Sequence, residues 1–262
     1  MDLKIKGRVA IVTGGSRSIG RACAESLLRE GSTVVLVSRD AERLENTRRE
    51  LTEKFGVTVA AVPTELRSDD SVREMVEHVL AEFGRIEILV NCAATVTPGT
   101  FLDLTEDKWM DVFEQKLNGY ARCLRHVIPA MQERQWGRII NLSGLSARQP
   151  HVTTVPVGLN NSTVLNITKS LATELAKDGI RVNAVIPHII DTDRQDETMQ
   201  EWAKITDQTE AEVRAERVSK IPIGRMGRAE DVADVVAFLA SERTNFVTGA
   251  AWHVDGGISV GI

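Results

Sequence analysis

A glycine-rich stretch near the start of the chain has the spacing of an anion-binding turn. Gly14, Gly15 and Gly20 follow an apolar run at residues 9–12 and stand where a helical pattern begins. Glycine lets the backbone turn sharply and approach a ligand closely, and a helix that starts there aims free N–H groups at an anion. The stretch therefore predicts a pyrophosphate cradle at the end of a buried strand, although a bare strand-to-helix turn would use the same glycines.

Ser38 and Arg39 close the next buried run, residues 33–37, and indicate which nucleotide would bind. An acidic residue there would hold the ribose hydroxyls of NAD, whereas a small residue followed by arginine leaves room for a 2′-phosphate and pairs with it. This pair favours NADP(H) over NAD(H) as the cofactor. Arg17, inside the glycine turn, either supplies a second cation to the same phosphate or is simply solvated.

Strand and helix patterns alternate along the rest of the chain. Strands are predicted at residues 57–62, 87–91, 137–142, 181–186 and 251–254, and helices at 41–54, 68–83, 105–134, 155–178 and 229–240. The alternation predicts an α/β fold, a doubly wound parallel sheet with helices on both faces and ligands at the carboxyl ends of its strands. Residues 191–220 are polar and helix-prone. We expect them to cover a substrate and call them the cover segment; the alternative is a helical insertion that is simply solvated.

Composition is that of an ordinary soluble globular protein. The 262 residues are 42% hydrophobic and 26% charged, with a net charge of −5, which gives no reason to expect nucleic acid or an acidic membrane surface as a partner. No apolar run has the length of a membrane span or the form of a signal peptide. The three cysteines are an odd number without metal-ligand spacing, so we expect no metal site and reduced thiols in the cytoplasm.

Several motifs, in order and over nearly the whole chain, resemble those of the short-chain dehydrogenase/reductase family. They are TGGSRSIG, the NCAA strand end, NLSG, RVNAVIP and the C-terminal stretch from IPIGRMGRAEDV to HVDGG. The resemblance implies a single Rossmann domain over residues 1–262, a sheet of about seven parallel strands and an NAD(P) cofactor. It also implies a small-molecule substrate and assembly as a homodimer or homotetramer.

The resemblance carries over most of the family's cofactor positions. They fall on Thr13, Gly14, Ser16, Ile19 and Gly20 in the glycine turn, on Glu65 and Leu66 beside the adenine, on Asn91 and Ala93 of a supporting strand, and on Pro187 and Thr192 near the nicotinamide. Ser18 stands where the family has its middle glycine, Glu65 where it has aspartate, and His188 where a glycine is usual. Ser18 adds a Cβ near the pyrophosphate and also a hydroxyl donor, so we expect weaker or adjusted binding rather than its loss.

The family's catalytic positions carry over only in part. The family uses a tyrosine as general acid and base, a lysine four residues later, a serine that orients the carbonyl, and an asparagine. Ser143 matches the serine, whereas Val157 stands at the tyrosine position and Asn161 at the lysine position beside the nicotinamide ribose. Lys116 stands at the asparagine position. The chain has therefore lost the tyrosine and exchanged the lysine with the asparagine.

Two residues on one predicted helix could replace the missing groups. Lys116 could bring its ammonium to the space vacated at Asn161 and hold the ribose or donate a proton, or it could reach solvent. Tyr120, four residues later, could share a helix face with Lys116, whose ammonium would lower the pKa of the phenol. The aromatic ring could instead fill a subunit interface. His151 and His188, on loops expected near the site, are minor candidates.

Three functions fit the sequence. The first is an NADP-dependent oxidoreductase on a carbonyl or alcohol, with Ser143 orienting the oxygen and Lys116, with or without Tyr120, as the proton source. The second is a cofactor-binding protein without turnover, acting as a sensor or partner subunit. The third is a lyase or isomerase that uses the pocket without hydride transfer.

Overall fold

A seven-stranded parallel sheet forms the centre of the protein. The computed structural model describes residues 1–94, 97 and 99–260, and for residues 194, 201, 205 and 206 it describes the backbone alone. The strands are β1 (Val9–Thr13), β2 (Thr33–Ser38), β3 (Ala60–Pro63), β4 (Ile88–Asn91), β5 (Gly137–Leu142), β6 (Ile180–Pro187), β7 (Ile190–Asp191), β8 (Gly227–Arg228) and β9 (Ala251–Val254). The order in the large sheet is β3-β2-β1-β4-β5-β6-β9, and β7 pairs with β8. The strand order reverses between β1 and β4, where such sheets bind ligands.

The helices lie between the strands and have clear sequence boundaries. They are α1 (Ser18–Arg29), α2 (Ala41–Phe55), α3 (Asp69–Phe83), α4 (Glu106–Val112), α5 (Gly119–Glu133), α6 (Val155–Leu175), α7 (Asp193–Thr206), α8 (Glu210–Ser219) and α9 (Ala229–Leu239). Asp40 and Ser68 cap α2 and α3 by accepting from backbone N–H groups, and Gly56 and Gly84 end these helices in the left-handed conformation.

Both faces of the sheet are covered, as the burial of every residue of strands such as β1 and β5 requires. Val9 and Ile11 of β1 belong to the apolar cluster under α3, α5 and α6, whereas Ala10 and Val12 belong to the cluster under α1 and α9. Successive residues of one strand thus enter two different cores. The predicted doubly wound parallel sheet of seven strands is confirmed.

Several predicted boundaries differ from the structure. The third strand begins at Ala60 instead of residue 57, where Val57 is 46% exposed. The long helix predicted at residues 105–134 is interrupted by a π turn, Phe113–Asn118, between α4 and α5. The cover segment folds into α7 and α8, and the β7–β8 pair that anchors it was not predicted. Residues 261–262, which the predicted domain includes, lie outside the described residues.

No helix within the described residues is both long enough and apolar enough to cross a membrane.

Candidate cofactor and active site

A cleft of about 510 Å³ lies at the carboxyl ends of β1, β2 and β4, at the reversal of strand order. Most of the residues predicted to bind the cofactor line it. They are Gly14, Ser16, Arg17, Ser18, Ile19, Gly20, Ser38, Arg39, Glu65, Leu66, Ala93 and Thr192. The sequence did not indicate Gln115 or Glu197, which also line the cleft. A cleft of this size and position suits a dinucleotide.

The glycine turn leaves little space for side chains at Gly14 and Gly20. A Cβ on Gly20 would lie 2.1 Å from the carbonyl oxygen of Gly14, and one on Gly14 would lie 3.1 Å from the backbone nitrogen of Ala93. Ser18 has φ +50, the left-handed conformation that glycine adopts without strain. The backbone therefore keeps the shape of a phosphate cradle although a serine stands at the family's glycine position, and these residues fit a pyrophosphate.

An arginine at the end of β2 is available to a ligand. Arg39 is exposed at the cleft wall and forms no ion pair with any described residue, whereas Arg43 nearby lies 3.6 Å from the carboxylate of Asp40. The hydroxyl of Ser16 donates to that of Ser38 at 3.1 Å, which fixes the small side chain beside Arg39. This pairing of a small residue with an uncompensated cation fits a 2′-phosphate.

Arg17 faces the cover segment instead of lying free in the cleft. Its guanidinium donates to Glu197 of α7 at 2.7 Å and also approaches Asp193 at 3.5 Å. The hydrogen bond to Glu197 raises the pKa of Arg17. Ser18 bonds to Asp193 as well. The prediction of a solvated Arg17 is therefore wrong in this structure, because two carboxylates distant in sequence tie the glycine turn to α7.

Four of the predicted cofactor residues, Thr13, Asn91, Asn161 and Pro187, do not line the cleft. Thr13 is fully buried, and its hydroxyl accepts from the backbone N–H of Ala93 at 3.2 Å. Asn91 is fully buried, and its side-chain amide donates to the side-chain oxygen of Asn141 at 2.9 Å, so it links β4 to β5 inside the sheet. Pro187 ends β6, and Asn161 lies in α6, where it contacts Lys116 and Ser143. Glu65 does line the cleft, with its carboxylate accepting from the backbone N–H of Arg67 at 3.0 Å.

The exchanged lysine and asparagine meet beside Ser143. Lys116, which the π turn directs inward, is 5% exposed; its ammonium donates to the side-chain oxygen of Asn161 at 2.6 Å and to the Ser143 carbonyl at 3.4 Å. The Ser143 hydroxyl donates to the backbone carbonyl of Asn161 at 3.0 Å, and the Asn161 amide donates to Ser146. A cation thus occupies the space beside the candidate serine. The alternative of a lysine reaching solvent is wrong.

Tyr120 lies in the same region with its hydroxyl directed elsewhere. It is 1% exposed, and its hydroxyl donates to the Leu142 carbonyl at 3.3 Å. The Lys116 ammonium lies 5.8 Å from the centre of the ring. Burial raises the pKa of Tyr120 well above its usual value, so the prediction that Lys116 lowers this pKa is wrong.

The two candidate histidines lie under or beside the cover segment. Burial lowers the pKa of His188 to about 4, so its imidazole is neutral at neutral pH. The His151 ring lies 5.4 Å from the ring of Trp202 on α7, edge to face. The cover segment packs through its own apolar cluster, whose buried members include Met199, Val213 and Ile221.

No group of three or more potential metal-ligating side chains (His, Cys, Asp or Glu) occurs within the part of the chain that the structure describes.

Known proteins resemble this chain in both sequence and architecture. A family model described as Enoyl-(Acyl carrier protein) reductase matches residues 14–259. The 3-oxoacyl-(acyl-carrier-protein) reductase of Aquifex aeolicus is 34% identical over 258 residues, covering 98% of this chain and 100% of the relative. The Escherichia coli protein of the same name is 30% identical over 256 residues, covering 98% of this chain and 99% of the relative.

Solved structures of reductases have the same fold as this chain along nearly its whole length. The L-sorbose reductase of Gluconobacter frateurii, solved with NADPH and L-sorbose, has a TM-score of 0.94 at 35% identity, with 100% of both chains covered. YwfH, an NADPH-dependent reductase involved in bacilysin biosynthesis, has a TM-score of 0.92 at 27% identity, covering 98% of this chain and 100% of that one. Since family model, relatives and structures match along nearly the whole chain, the protein belongs to the short-chain dehydrogenase/reductase family.

Proposed function

We propose that the protein is an NADPH-dependent reductase of a carbonyl compound, with Lys116 as the proton donor. The observation that carries the proposal is the position of the Lys116 ammonium, 3.4 Å from the Ser143 carbonyl and held by Asn161 at 2.6 Å. A buried cation beside the serine that orients the substrate oxygen would stabilise negative charge on that oxygen. It can also supply the proton that a tyrosine supplies elsewhere in the family.

The cofactor assignment is supported by the cleft and by the relatives. NADPH is the cofactor that the two solved reductases are described with. Arg39 and Ser38 would hold the 2′-phosphate, and the glycine turn would hold the pyrophosphate. Leu66 and Ala93 would lie against the adenosine half of the cofactor. Pro187 and Thr192 would hold the nicotinamide half, with Asn161 beside its ribose.

The chain's own residues would complete the reaction. Bound NADPH supplies a hydride to the carbonyl carbon. The Ser143 hydroxyl would rotate from the Asn161 carbonyl to the substrate oxygen and orient it. The Lys116 ammonium would then protonate the alkoxide, and the resulting amine would be reprotonated from solvent. Asn161 holds the ammonium in place before and after the transfer.

Titration of NADPH and NADH by fluorescence tests the cofactor assignment. We expect Arg39→Ala to weaken NADPH binding about tenfold while leaving NADH unchanged, because it removes the uncompensated cation. Arg43→Ala is the matched control, since that guanidinium already faces Asp40. Equal loss of NADPH affinity in both variants, or no binding of either nucleotide, would refute this assignment.

A cofactor-binding protein without turnover is the second candidate. It is favoured by Val157, an apolar residue at the family's tyrosine position, and by the buried Tyr120 hydroxyl. Absorbance of NADPH over a panel of ketones, aldehydes and oxo acids separates the two: tight binding with no turnover of any carbonyl would favour the second. The non-redox lyase or isomerase loses support because the His188 pKa, about 4, makes its imidazole a weak base.

Two further predictions remain part of this proposal. We expect the cover segment to close over the substrate, which agrees with the contact between Trp202 and His151. We also expect a cytoplasmic protein that assembles as a homodimer or homotetramer, which sedimentation or light scattering would test.

A further inference from the structure

An arginine of the cover segment lies beside aromatic rings that join this segment to the loop before α6. The Arg217 guanidinium of α8 lies 4.9 Å from the ring of Trp202, which in turn contacts His151. The charge of Arg217 also helps to lower the pKa of His188, after the larger effect of burial. Within the cover segment, the Arg217 side chain is therefore on the side that faces the loop after β6.

This loop lies at the same edge of the sheet as Ser143. Leu142 of β5 pairs with Val185 of β6, so Ser143 and His188 follow the ends of two adjacent strands. The electrostatic effect of Arg217 on His188 therefore brings its charge near the strand ends that carry Ser143.

Arg217 differs from its neighbours because no described carboxylate lies within ion-pair distance of its guanidinium, although the charge of the adjacent Glu216 opposes the lowering of its pKa by burial. Arg214, one turn earlier on α8, donates to Asp191 at 2.9 Å and also bonds to Asp196. Glu216, adjacent to Arg217, pairs with Lys220 at 2.7 Å. Arg217 is partly buried, and this burial lowers its pKa. A partly desolvated guanidinium whose N–H groups bond to no described carboxylate is able to bind an anion.

We propose that Arg217 binds an anionic group of the substrate, so that the carbonyl compound reduced is an oxo acid or a phosphorylated ketone. This inference rests on the proposed reductase function. The indole of Trp202 supports one face of the guanidinium, and the N–H edge stays available for bidentate hydrogen bonds to a carboxylate or phosphate. Because the cover segment carries Arg217, binding of the anion would also hold this segment against the sheet.

Matched substrates test the proposal on the whole enzyme with NADPH. We expect kcat/KM for oxo acids to exceed that for their methyl esters by about 10- to 100-fold, the range of charge-assisted hydrogen bonds. Arg217→Gln should remove most of this preference, Arg217→Lys should retain part of it, and Lys204→Gln, which removes an exposed charge from α7, should leave it unchanged. A preference for phosphorylated ketoses over the parent ketoses, also lost in Arg217→Gln, would instead identify phosphate as the anion. Equal kcat/KM for charged and neutral substrates would overturn the proposal.

A binding measurement separates this inference from the reductase proposal. Calorimetric titration of cyclohexanecarboxylate, with its carboxamide as the neutral control, is carried out on the protein with NADP⁺. Carboxylate binding that is lost in Arg217→Gln supports the anion site even when no carbonyl is reduced. Reduction of neutral carbonyls that is insensitive to Arg217→Gln, with no carboxylate binding, keeps the reductase and refutes the anion site.

Discussion

Removing both partners of the Lys116–Asn161 contact should lower the free energy of unfolding by less than the sum of the two losses measured in the single variants. The ammonium and the amide oxygen lie 2.6 Å apart, and the two residues are 5% and 4% exposed. A hydrogen bond to a charged group contributes about 1.5–3 kcal/mol, and a buried partner left alone loses this stabilisation without regaining water. We therefore expect a coupling free energy of about 1.5–3 kcal/mol between Lys116→Met and Asn161→Ala.

Urea unfolding of the four proteins, at one protein concentration and without cofactor, measures this coupling. A second cycle pairs Lys116→Met with Thr244→Val. Thr244 donates to the Ser241 carbonyl, which also accepts from Arg138 near the amino end of β5. Because Thr244 lies at the opposite edge of the sheet from Lys116, the unfolding free-energy changes of these two substitutions should add within about 0.5 kcal/mol. A Lys116–Asn161 coupling no larger than that of the control would refute the contact.

Three other results follow from the site. Folding stability should fall by about 3 kcal/mol more in the wild type than in His188→Gln as pH drops from 6.5 to 4. The reason is that the folded-state pKa of His188, about 4, lies below its unfolded value, so the unfolded chain binds the proton first; urea midpoints across this range check it. Glu197→Gln should lower the NADPH Kd about 2- to 5-fold at low salt, because it removes a negative charge from the cleft and releases Arg17. Tyr120→Phe should cost about 1 kcal/mol of stability, from the lost bond to the Leu142 carbonyl, and leave the pH profile of kcat unchanged.

The fold could be predicted from the sequence because its signals are local. Strand β5 and strand β9 have the predicted bounds, since each short run rich in strand-forming residues is followed at once by a polar residue and a glycine. The β7–β8 pair was missed because its strands have two residues each and are separated in the sequence by α7 and α8. The π turn was missed because helix periodicity does not reveal one inserted residue.

The site could be predicted in position but not in its contacts. Motif counting indicated that Lys116 and Asn161 exchange places, and only the packing of α6 against the π turn shows them bonded. Four-residue spacing suggested that the Lys116 ammonium would lower the pKa of the Tyr120 phenol, yet the hydroxyl is directed toward β5 and burial raises this pKa. Arg217 gave no signal in the sequence, because what distinguishes it is the absence of a carboxylate at ion-pair distance within the described structure.

Single-turnover oxidation of NADPH by Lys116→Met tests the central claim most directly. The wild type and the variant are mixed with NADPH and the best carbonyl substrate of the panel, and the nicotinamide absorbance is followed. We predict that the rate of hydride transfer falls at least about 100-fold, the usual contribution of a general acid, while the NADPH Kd changes less than about threefold. A variant that transfers hydride as fast as the wild type would contradict the assignment of Lys116 as the proton donor.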